Sequence, residues 1–476
     1  MFRSLRVRDY RIWFFGALIS NIGAWMQTTT QDWVVLTELS DNNATAVGTT
    51  MALQFGPQLL LVPFSGAVAD RFDRRKVLLV TQSLLGLLAA GLGLLLITGT
   101  AELWHVYCFA LGLGIVNAFD TTSRQTFVTD LVGRGQMSNA VALNSASFNS
   151  ARLIGPAVAG VLIAVIGSGW VFIINAATFG VVLAALVAIK SKPPRPEVGG
   201  PRGSQLQQLS AGFSYVRRRH DLLIIFVMVF LVGAFSMNFP IISSTMAVEF
   251  GEGASNYGLL SSVLAIGSLS GALLAARRAE ARLRVVVIAV GGLGAVSLVA
   301  AFMPSFWTFA ASLIFFGLAT STMLTTANGF VQTTSDPAVR GRVMALYMAI
   351  LMGGTPIGAP LVGAAADAFG ARSTLVISAI AGLLACGIGL TWLFVERGLR
   401  FHRGPGLRWT VTHVGRPSID DNPSKQTETL TAPISVLRRE PALRPEANSA
   451  PQNSALNEGL TGPISLSDRD TGEARE

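Results

Sequence analysis

Charged residues are scarce in this 476-residue chain, since Asp, Glu, Lys and Arg together make up only 13% of it. That is about half of their usual share in soluble proteins. Apolar residues make up 51%, and a soluble domain of this composition would expose apolar surface on every side. The composition therefore excludes an ordinary soluble protein and indicates a protein embedded in a lipid bilayer.

Cysteine and histidine are also scarce, with two and four residues respectively. Cys108 and Cys386 lie in apolar stretches, so no disulfide framework is predicted. The histidines are scattered, which predicts no metal site and no cofactor. The sequence shows no nucleophile–base arrangement, so we expect the protein not to be an enzyme.

Six long segments nearly free of lysine and arginine alternate with basic loops, and only the last contains such a residue, Arg372. Each segment can hold two spanning helices of about 20 residues and a short loop. The sequence lacks the short alternating strands of a membrane barrel. We therefore expect an all-α membrane protein with twelve transmembrane helices. The predicted spans are residues 12–37, 46–69, 77–99, 104–128, 140–166, 169–190, 222–247, 256–277, 284–302, 306–330, 342–366 and 373–395.

The loops between these spans divide by charge. Arg71–Lys76 and Arg217–Arg219 are basic, whereas Glu38, Asp41 and Glu102 lie in loops at the opposite ends of the spans. Basic loops of membrane proteins face the cytoplasm, so we expect both termini to be cytoplasmic. The net charge of +9 is then a topology signal, and we expect the lipid bilayer, not nucleic acid, as a partner.

The two halves of the membrane region match each other at an offset of 203 residues. Single matches are common in helices rich in glycine and alanine, but several in order at one offset indicate a duplication. Two parallel six-helix halves are an established transporter design, with the substrate site between them near the membrane midplane. The matching glycines are Gly155, Gly160 and Gly167 in the first half and Gly358, Gly363 and Gly370 in the second.

The polar segments complete the predicted organisation. Residues 191–220 begin with prolines and glycines and continue with apolar residues at helical spacing, which predicts a cytoplasmic linker with an amphipathic helix on the membrane surface. Residues 398–476 are polar and proline-rich, which predicts a disordered cytoplasmic tail. The apolar linker residues are Leu206, Leu209, Phe213 and Val216. The predicted domains are 1–190, 191–220, 221–397 and 398–476.

The loop after the second span reads Gly66-Ala67-Val68-Ala69-Asp70-Arg71-Phe72-Asp73-Arg74-Arg75-Lys76. It resembles the loop signature of the major facilitator superfamily, with Asp73 where a second glycine is usual. The resemblance implies a cytoplasmic charge network that latches the outward-facing state, and a plain basic loop is the alternative. The predicted latch residues are Gly66, Asp70, Arg71, Arg74, Arg75 and Asp130.

The fifth span contains Arg152-Leu153-Ile154-Gly155-Pro156-Ala157-Val158-Ala159-Gly160. This stretch is similar to the Gly-Pro motif found in antiporters of the same superfamily. Glycine permits close helix approach, and proline permits bending. Gly155, Pro156 and Gly160 are therefore predicted to form a pivot between the halves, with static packing as the alternative.

Further stretches, including Gln31-Asp32-Trp33 and Asn149-Ser150-Ala151-Arg152, are similar to a bacterial exporter branch of this superfamily. That branch includes enterobactin exporters and drug-efflux proteins. The resemblance implies a monomer in the bacterial inner membrane that exports a small molecule by proton antiport. It leaves the identity of the cargo open.

Asp32 is our first candidate for proton coupling. It shares a helical face with Asn21 and Thr28, and a polar stripe cannot face lipid. Ionisable groups inside a spanning helix are costly and usually functional. The alternative is an aspartate that is simply hydrated near the outer interface.

Asp120 and Arg152 are two further proton-coupling candidates. Asp120 and Arg124 are four residues apart and can form an ordinary intrahelical pair. The alternative is an Asp120–Arg152 pair between neighbouring helices that breaks on protonation.

The other polar residues in the spans are candidates for the substrate cavity. The leading hypothesis is a proton-coupled exporter of a drug-like or amphipathic molecule. Dedicated siderophore or metabolite export is a second hypothesis, and a non-transporting membrane sensor or scaffold is a third. The cavity candidates are Asn21, Gln27, Thr28, Gln31, Asn117, Asn144, Asn238 and Asn328.

Overall fold

The computed structural model describes residues 3–190, 205–278, 280–395, 399–403 and 409–413. Nearly all of them lie in long helices, as lipid requires, because a helix satisfies its backbone hydrogen bonds internally. The first half contains α1 (Arg8–Trp33), α2 (Ala44–Arg71), α3 (Arg74–Ile97), α4 (Leu103–Asp130), α5 (Met137–Ile166) and α6 (Ser168–Ala188). A π-helical turn, Val34–Glu38, extends α1.

The second half repeats this plan with one interruption. It contains α8 (His220–Phe235), α9 (Phe239–Glu249), α10 (Ala254–Ala276), α11 (Leu283–Ala301), α12 (Phe306–Thr334), α13 (Arg340–Phe369) and α14 (Arg372–Val395), preceded by the linker helix α7 (Gln205–Arg218). The predicted seventh span, 222–247, is therefore not one continuous helix but α8 and α9. Pro240 lies in the first turn of α9, where a missing N–H is tolerated, and proline disfavours helical geometry in the residue before it.

Ten of the described helical segments are long and apolar enough to cross a membrane, with α8 and α9 counted as one. The helices α1 and α2 have 26 and 28 residues but are not among these ten, and α1 carries the polar stripe described above. The protein is thus a multi-pass helical membrane protein. Twelve spans, cytoplasmic termini and the predicted domain limits stay predictions.

The internal repeat is visible in the geometry of matched glycines. Gly167 and Gly370 both end a helix with positive φ, at 86° and 87°, a conformation that favours glycine. Gly160 lies against the start of α10, and its repeat partner Gly363 lies against the start of α2. Both glycines therefore touch a helix of the opposite half.

The two halves meet along α2 with α13 and along α5 with α10. We call the helix ends near Arg71 and Arg340 the basic face, and the opposite ends near Glu38 and Glu249 the acidic face. The two interfaces are tight toward the acidic face, where Gly48 and Gly363 let α2 and α13 touch. Toward the basic face, the glycines at the ends of α2 and α13, Gly66 and Gly341, face open space. The described halves are thus closed at the acidic face.

The segments outside the membrane helices are described only in part. In α7, Val216 is buried and Phe213 is 57% exposed, and the helix lies against α13 and α8. Two short antiparallel strands, β1 (Leu399–Arg403) and β2 (Trp409–His413), fall within the predicted disordered tail. The first part of the linker and the rest of the tail lie outside the described residues.

Candidate functional site

Asp32 lies at the contact between the two halves, near the acidic face. It is only 4% exposed, so it is not at the hydrated surface in this structure. The Tyr257 hydroxyl, from α10 in the opposite half, donates to Asp32 Oδ2 over 3.4 Å. The Trp33 ring stacks on the Tyr257 ring at 5.7 Å between centroids. A buried carboxylate and an aromatic pair thus join the two halves.

The rest of the polar stripe of α1 lines a cavity inside the first half. Its space of about 80 Å³ is enough for a few water molecules. Gln31 donates to Gln54 over 3.1 Å, and Asn175 donates to Gln27 over 2.5 Å. Five predicted cavity residues therefore come together, and Gln54, Asn175 and Arg124 join them. The polar lining residues are Ser20, Asn21, Gln27, Thr28, Gln31, Gln54, Asn117, Arg124 and Asn175.

Asp120 and Arg124 form a buried charge pair at one end of this cavity. Arg124 Nη2 lies 3.1 Å from Asp120 Oδ2, and Arg124 Nη1 donates to Asn21 Oδ1 over 3.0 Å. Asp120 Oδ1 also accepts hydrogen bonds from Thr81 (2.8 Å) and Gln82 (2.6 Å) on α3. The Asp120–Arg124 pair therefore joins α1, α3 and α4.

The alternative Asp120–Arg152 pair is not present in this structure. Asp120 is fully engaged by Arg124, Thr81 and Gln82. The Arg152 guanidinium instead lies over the Trp25 ring, 5.7 Å from its centroid, a typical cation–π contact. Among the residues that the structure describes, no carboxylate lies within ion-pair distance of Arg152. The rotation of α5 about its axis, which spacing alone does not determine, sets this outcome.

The loop signature forms ion contacts at the basic face. Arg74 Nη1 donates to both oxygens of Asp130, each at 2.6 Å, and both side chains are largely buried. Arg75 donates to the Val187 carbonyl over 3.1 Å. Arg71 is exposed, and the side chain of Asp70 lies outside what the structure describes.

The Gly-Pro stretch of α5 contacts both halves. A side chain at Gly155 would meet Cβ of Trp25 on α1 at 2.6 Å. A side chain at Gly160 would meet the Ala254 carbonyl oxygen on α10 at 2.6 Å. The carbonyl of Pro156 lies against Gly258 of α10. The stretch therefore packs closely against both its own half and the opposite half.

Three predicted cavity residues lie elsewhere. Asn144 is half-buried on α5 and does not line the cavity of the first half. Asn238 is fully buried at the break between α8 and α9, where it donates to the Ala234 carbonyl over 2.5 Å. Asn328 accepts from Gln332 over 2.7 Å, toward the basic face of α12.

Sequence reasoning missed two residues that join the halves, Tyr257 and Asp367. Tyr257 gave no signal, because a tyrosine in an apolar helix is usually a packing residue. Asp367 did give one, since Gly363-Ala364-Ala365-Ala366-Asp367-Ala368-Phe369 repeats the spacing of Gly66-Ala67-Val68-Ala69-Asp70-Arg71-Phe72. The repeated spacing of glycine, aspartate and phenylalanine at two helix ends would have drawn attention to Asp367.

Two helical halves that touch at one face, with buried charged groups between and within them, define a membrane transporter. The chain belongs to the transmembrane secretion effector family of the major facilitator superfamily, whose family pattern matches residues 1–398. The enterobactin exporter EntS of Escherichia coli O1:K1 is 26% identical over 367 residues, and the match covers 75% of this chain and 85% of that protein.

Solved structures share the fold. A bacterial homologue of the human lysosomal transporter Spinster, in an inward-facing and unoccupied conformation, has a TM-score of 0.63 at 15% identity and covers 81% of this chain and 97% of that chain. The nucleoside transporter NupG has a TM-score of 0.63 at 13% identity and covers 81% of this chain and 98% of that chain. The protein is a multi-pass membrane exporter, and it is not an enzyme.

Proposed function

We propose that the protein is a secondary active exporter of a small organic molecule, driven by proton antiport, acting as a monomer in the bacterial inner membrane. The basic face is then cytoplasmic and the acidic face is outer. The observation that carries this proposal is the buried Asp32 carboxylate, whose polar partner Tyr257 belongs to the opposite half. A protonatable group at a contact that opens and closes is what coupling requires.

The coupling follows from the cost of burying charge. In the acidic-face-closed state, water does not reach Asp32, and an ionised carboxylate with one long hydrogen bond is poorly stabilised there. The protonated acid is accommodated without that cost. When the halves part, Tyr257 moves away with α10 and water reaches the carboxylate. Protonation of Asp32 from the outside therefore favours closure of the outer face, and ionisation favours its opening.

A polar path continues from Asp32 into the first half. Its neighbour Gln31 lines the cavity that ends at Arg124 and Asp120. Amide side chains and a few waters can relay protons between hydrogen-bonded groups. We propose that this cavity carries the proton toward the cytoplasm when the protein is open at the basic face. The Asp120–Arg124 pair is then the relay site at the cytoplasmic end of the path.

The contacts of the loop signature and the Gly-Pro stretch fit alternating access. The Arg74–Asp130 pair orders the cytoplasmic ends of α3 and α4, and we propose that the loop residues Asp70 and Arg71 latch α2 when the basic face closes. The close approach of Gly160 to α10 places α5 where rocking of the halves must be accommodated. We propose that Gly155, Pro156 and Gly160 form the pivot.

The cargo has two candidate classes. An amphipathic, drug-like molecule fits the apolar and amide-lined surfaces of α1 and α5. A siderophore or acidic metabolite is favoured by a specific observation, namely the Arg152 guanidinium beside Trp25 without a described carboxylate partner. The similar E. coli protein is named an enterobactin exporter. We therefore propose siderophores and drug-like molecules as two equally supported classes of cargo for this chain.

The test expresses the protein in cells that lack their main efflux pumps and siderophore exporters. Retention of a fluorescent dye and secretion of enterobactin are measured with and without an uncoupler. Uncoupler-sensitive loss of dye supports drug efflux, and uncoupler-sensitive secretion of enterobactin supports siderophore export. If expression changes neither quantity, the proposal of a broad organic exporter is refuted. If export resists the uncoupler, proton antiport is refuted.

A further inference from the structure

A carboxylate at the acidic-face end of α13 crosses to the other half of the protein. Asp367 Oδ1 accepts a hydrogen bond from the backbone N–H of Ala44 over 2.7 Å. Asp367 Oδ2 accepts from the backbone N–H of Thr45 over 2.9 Å and from the Thr45 hydroxyl over 2.5 Å. Ala44 and Thr45 are the first two residues of α2. One side chain thus binds three donors of the opposite half.

The first N–H groups of a helix have no partner within the helix, and they carry the positive end of its dipole. The side chain of the cap residue of α2, Asn43, accepts from the N–H of Ala46 over 2.9 Å. The N–H groups of Ala44 and Thr45 are left for Asp367. A carboxylate is the best match for this position in charge and geometry. The cap of α2 is therefore completed by the other half.

The contact between α5 and α10 at this face is built without charge. There the Ser255 hydroxyl of α10 donates to the Gly160 carbonyl over 3.2 Å. The residue 203 positions before Asp367, at the matching end of α5, is Ala164. The acidic face is thus closed by a charged cap along α2 and α13 and by neutral contacts along α5 and α10.

We propose that Asp367 is a positioning residue that holds the acidic face closed by capping α2 from the opposite half. It sets the balance between the acidic-face-closed and acidic-face-open states of the transporter. The site is accessible to water, because Asp367 is exposed and borders a surface cavity of about 150 Å³ with Asn42 and Glu249. Opening therefore exchanges the three hydrogen bonds for water. The effect on transport rests on the proposed function, whereas the effect on closure does not.

The test measures the distance between the halves at the acidic face. Spin labels are placed at Thr100 and Pro304, which lie in exposed acidic-face loops of the two halves, after Cys108 and Cys386 are replaced by serine. In Asp367→Asn, the amide has one acceptor oxygen, no charge and an NH2 group facing the donors of α2. Loss of a helix cap and of the charge at a helix N-terminus predicts about a tenfold rise in the open-to-closed ratio, which corresponds to roughly 1.4 kcal/mol.

Thr45→Val and Asp41→Asn complete the design. Thr45→Val removes one of the three donors and keeps the backbone N–H, so a smaller shift of about twofold to threefold is expected. Asp41→Asn makes the same chemical change at an exposed residue just before α2, and it should leave the distances unchanged. Thr45→Val also tests the proposal if Asp367→Asn does not fold.

Two results would overturn the proposal. One is a distance distribution in folded Asp367→Asn, or in Thr45→Val, that equals the wild type. The other is an equal shift in Asp41→Asn, which would mean that surface charge alone sets the balance. The measurement needs no cargo and no proton gradient. If Asp367→Asn shifts the distances while the wild-type protein exports nothing, the proposed function is refuted and the proposed role of Asp367 in closure stands.

Discussion

The close approach of α2 and α13 predicts that one added methyl group will open the acidic face. In Gly363→Ala, the new Cβ would lie 2.8 Å from the Ala44 carbonyl carbon and 2.8 Å from Thr45 Cα, and both of these are backbone atoms that cannot rotate away. Overpacking of this kind destabilises the closed state by about 1–3 kcal/mol. Alanine in place of a helical glycine stabilises the helix by about 0.5–1 kcal/mol, equally in the open and the closed state. The strain exists only in the closed state. The gain in helix propensity cancels between the two states, so the open-to-closed ratio should rise about fivefold to 150-fold, the factor that 1–3 kcal/mol represents.

The assay uses the spin-label pair at Thr100 and Pro304 in detergent or lipid. Gly160→Ala, at the repeat-related contact, should shift the distances in the same direction, because its Cβ would meet Ser255 Cα at 2.9 Å. Gly180→Ala is the matched control, since nothing lies within 4 Å of a side chain at Gly180. If folded Gly363→Ala has the distances of the control, the α2–α13 contact does not hold the acidic face closed.

Four further substitutions test two of the charged groups, Asp130 and Arg152. Asp130→Asn breaks the contact of both carboxylate oxygens with Arg74 at 2.6 Å, so it should lower the export rate and the melting temperature, with a loss of about 1.5–3 kcal/mol in stability. The control is Glu249→Gln, because the Glu249–Arg372 pair is longer, at 3.4 Å, and more exposed, and its loss should have a smaller effect. Equal effects of the two substitutions would refute a special role for Asp130. Arg152→Gln should reduce export of an anionic dye at least tenfold more than export of a cationic dye, whereas Arg152→Lys should retain most export of the anionic dye. An equal loss of export for both dyes would show that Arg152 does not select the charge of the cargo.

The helices were predictable because backbone groups in lipid must be hydrogen-bonded internally and the sequence lacks the alternating strands of a barrel. The predicted segments match helices of the structure to within a few residues, with the seventh divided between α8 and α9. The 203-residue offset predicted which glycines occupy matching positions. The break between α8 and α9 was missed although Pro240 signalled it, because hydrophobicity continues through the break. Periodicity averages over such a local interruption.

The site was predictable where one helix determines it, and where the loop signature placed Arg74 and Asp130 in one charge network. The Asp120–Arg124 pair follows from spacing on α4, and the polar stripe of α1 follows from its helical period. The partners across helices, such as Tyr257 for Asp32 and Trp25 for Arg152, depend on how each helix is rotated about its axis. That rotation is set by the packing of the whole bundle, so it cannot be predicted from the spacing of residues along one helix.

Proton coupling through Asp32 is the central claim, and purified protein in liposomes tests it most directly. An imposed proton gradient drives uptake of the exported dye or of enterobactin, and exchange of labelled for unlabelled cargo is measured without a gradient. The account predicts that Asp32→Asn loses gradient-driven accumulation but keeps exchange, while Asp41→Asn behaves as wild type. Gradient-driven accumulation by Asp32→Asn at the wild-type level would contradict the account.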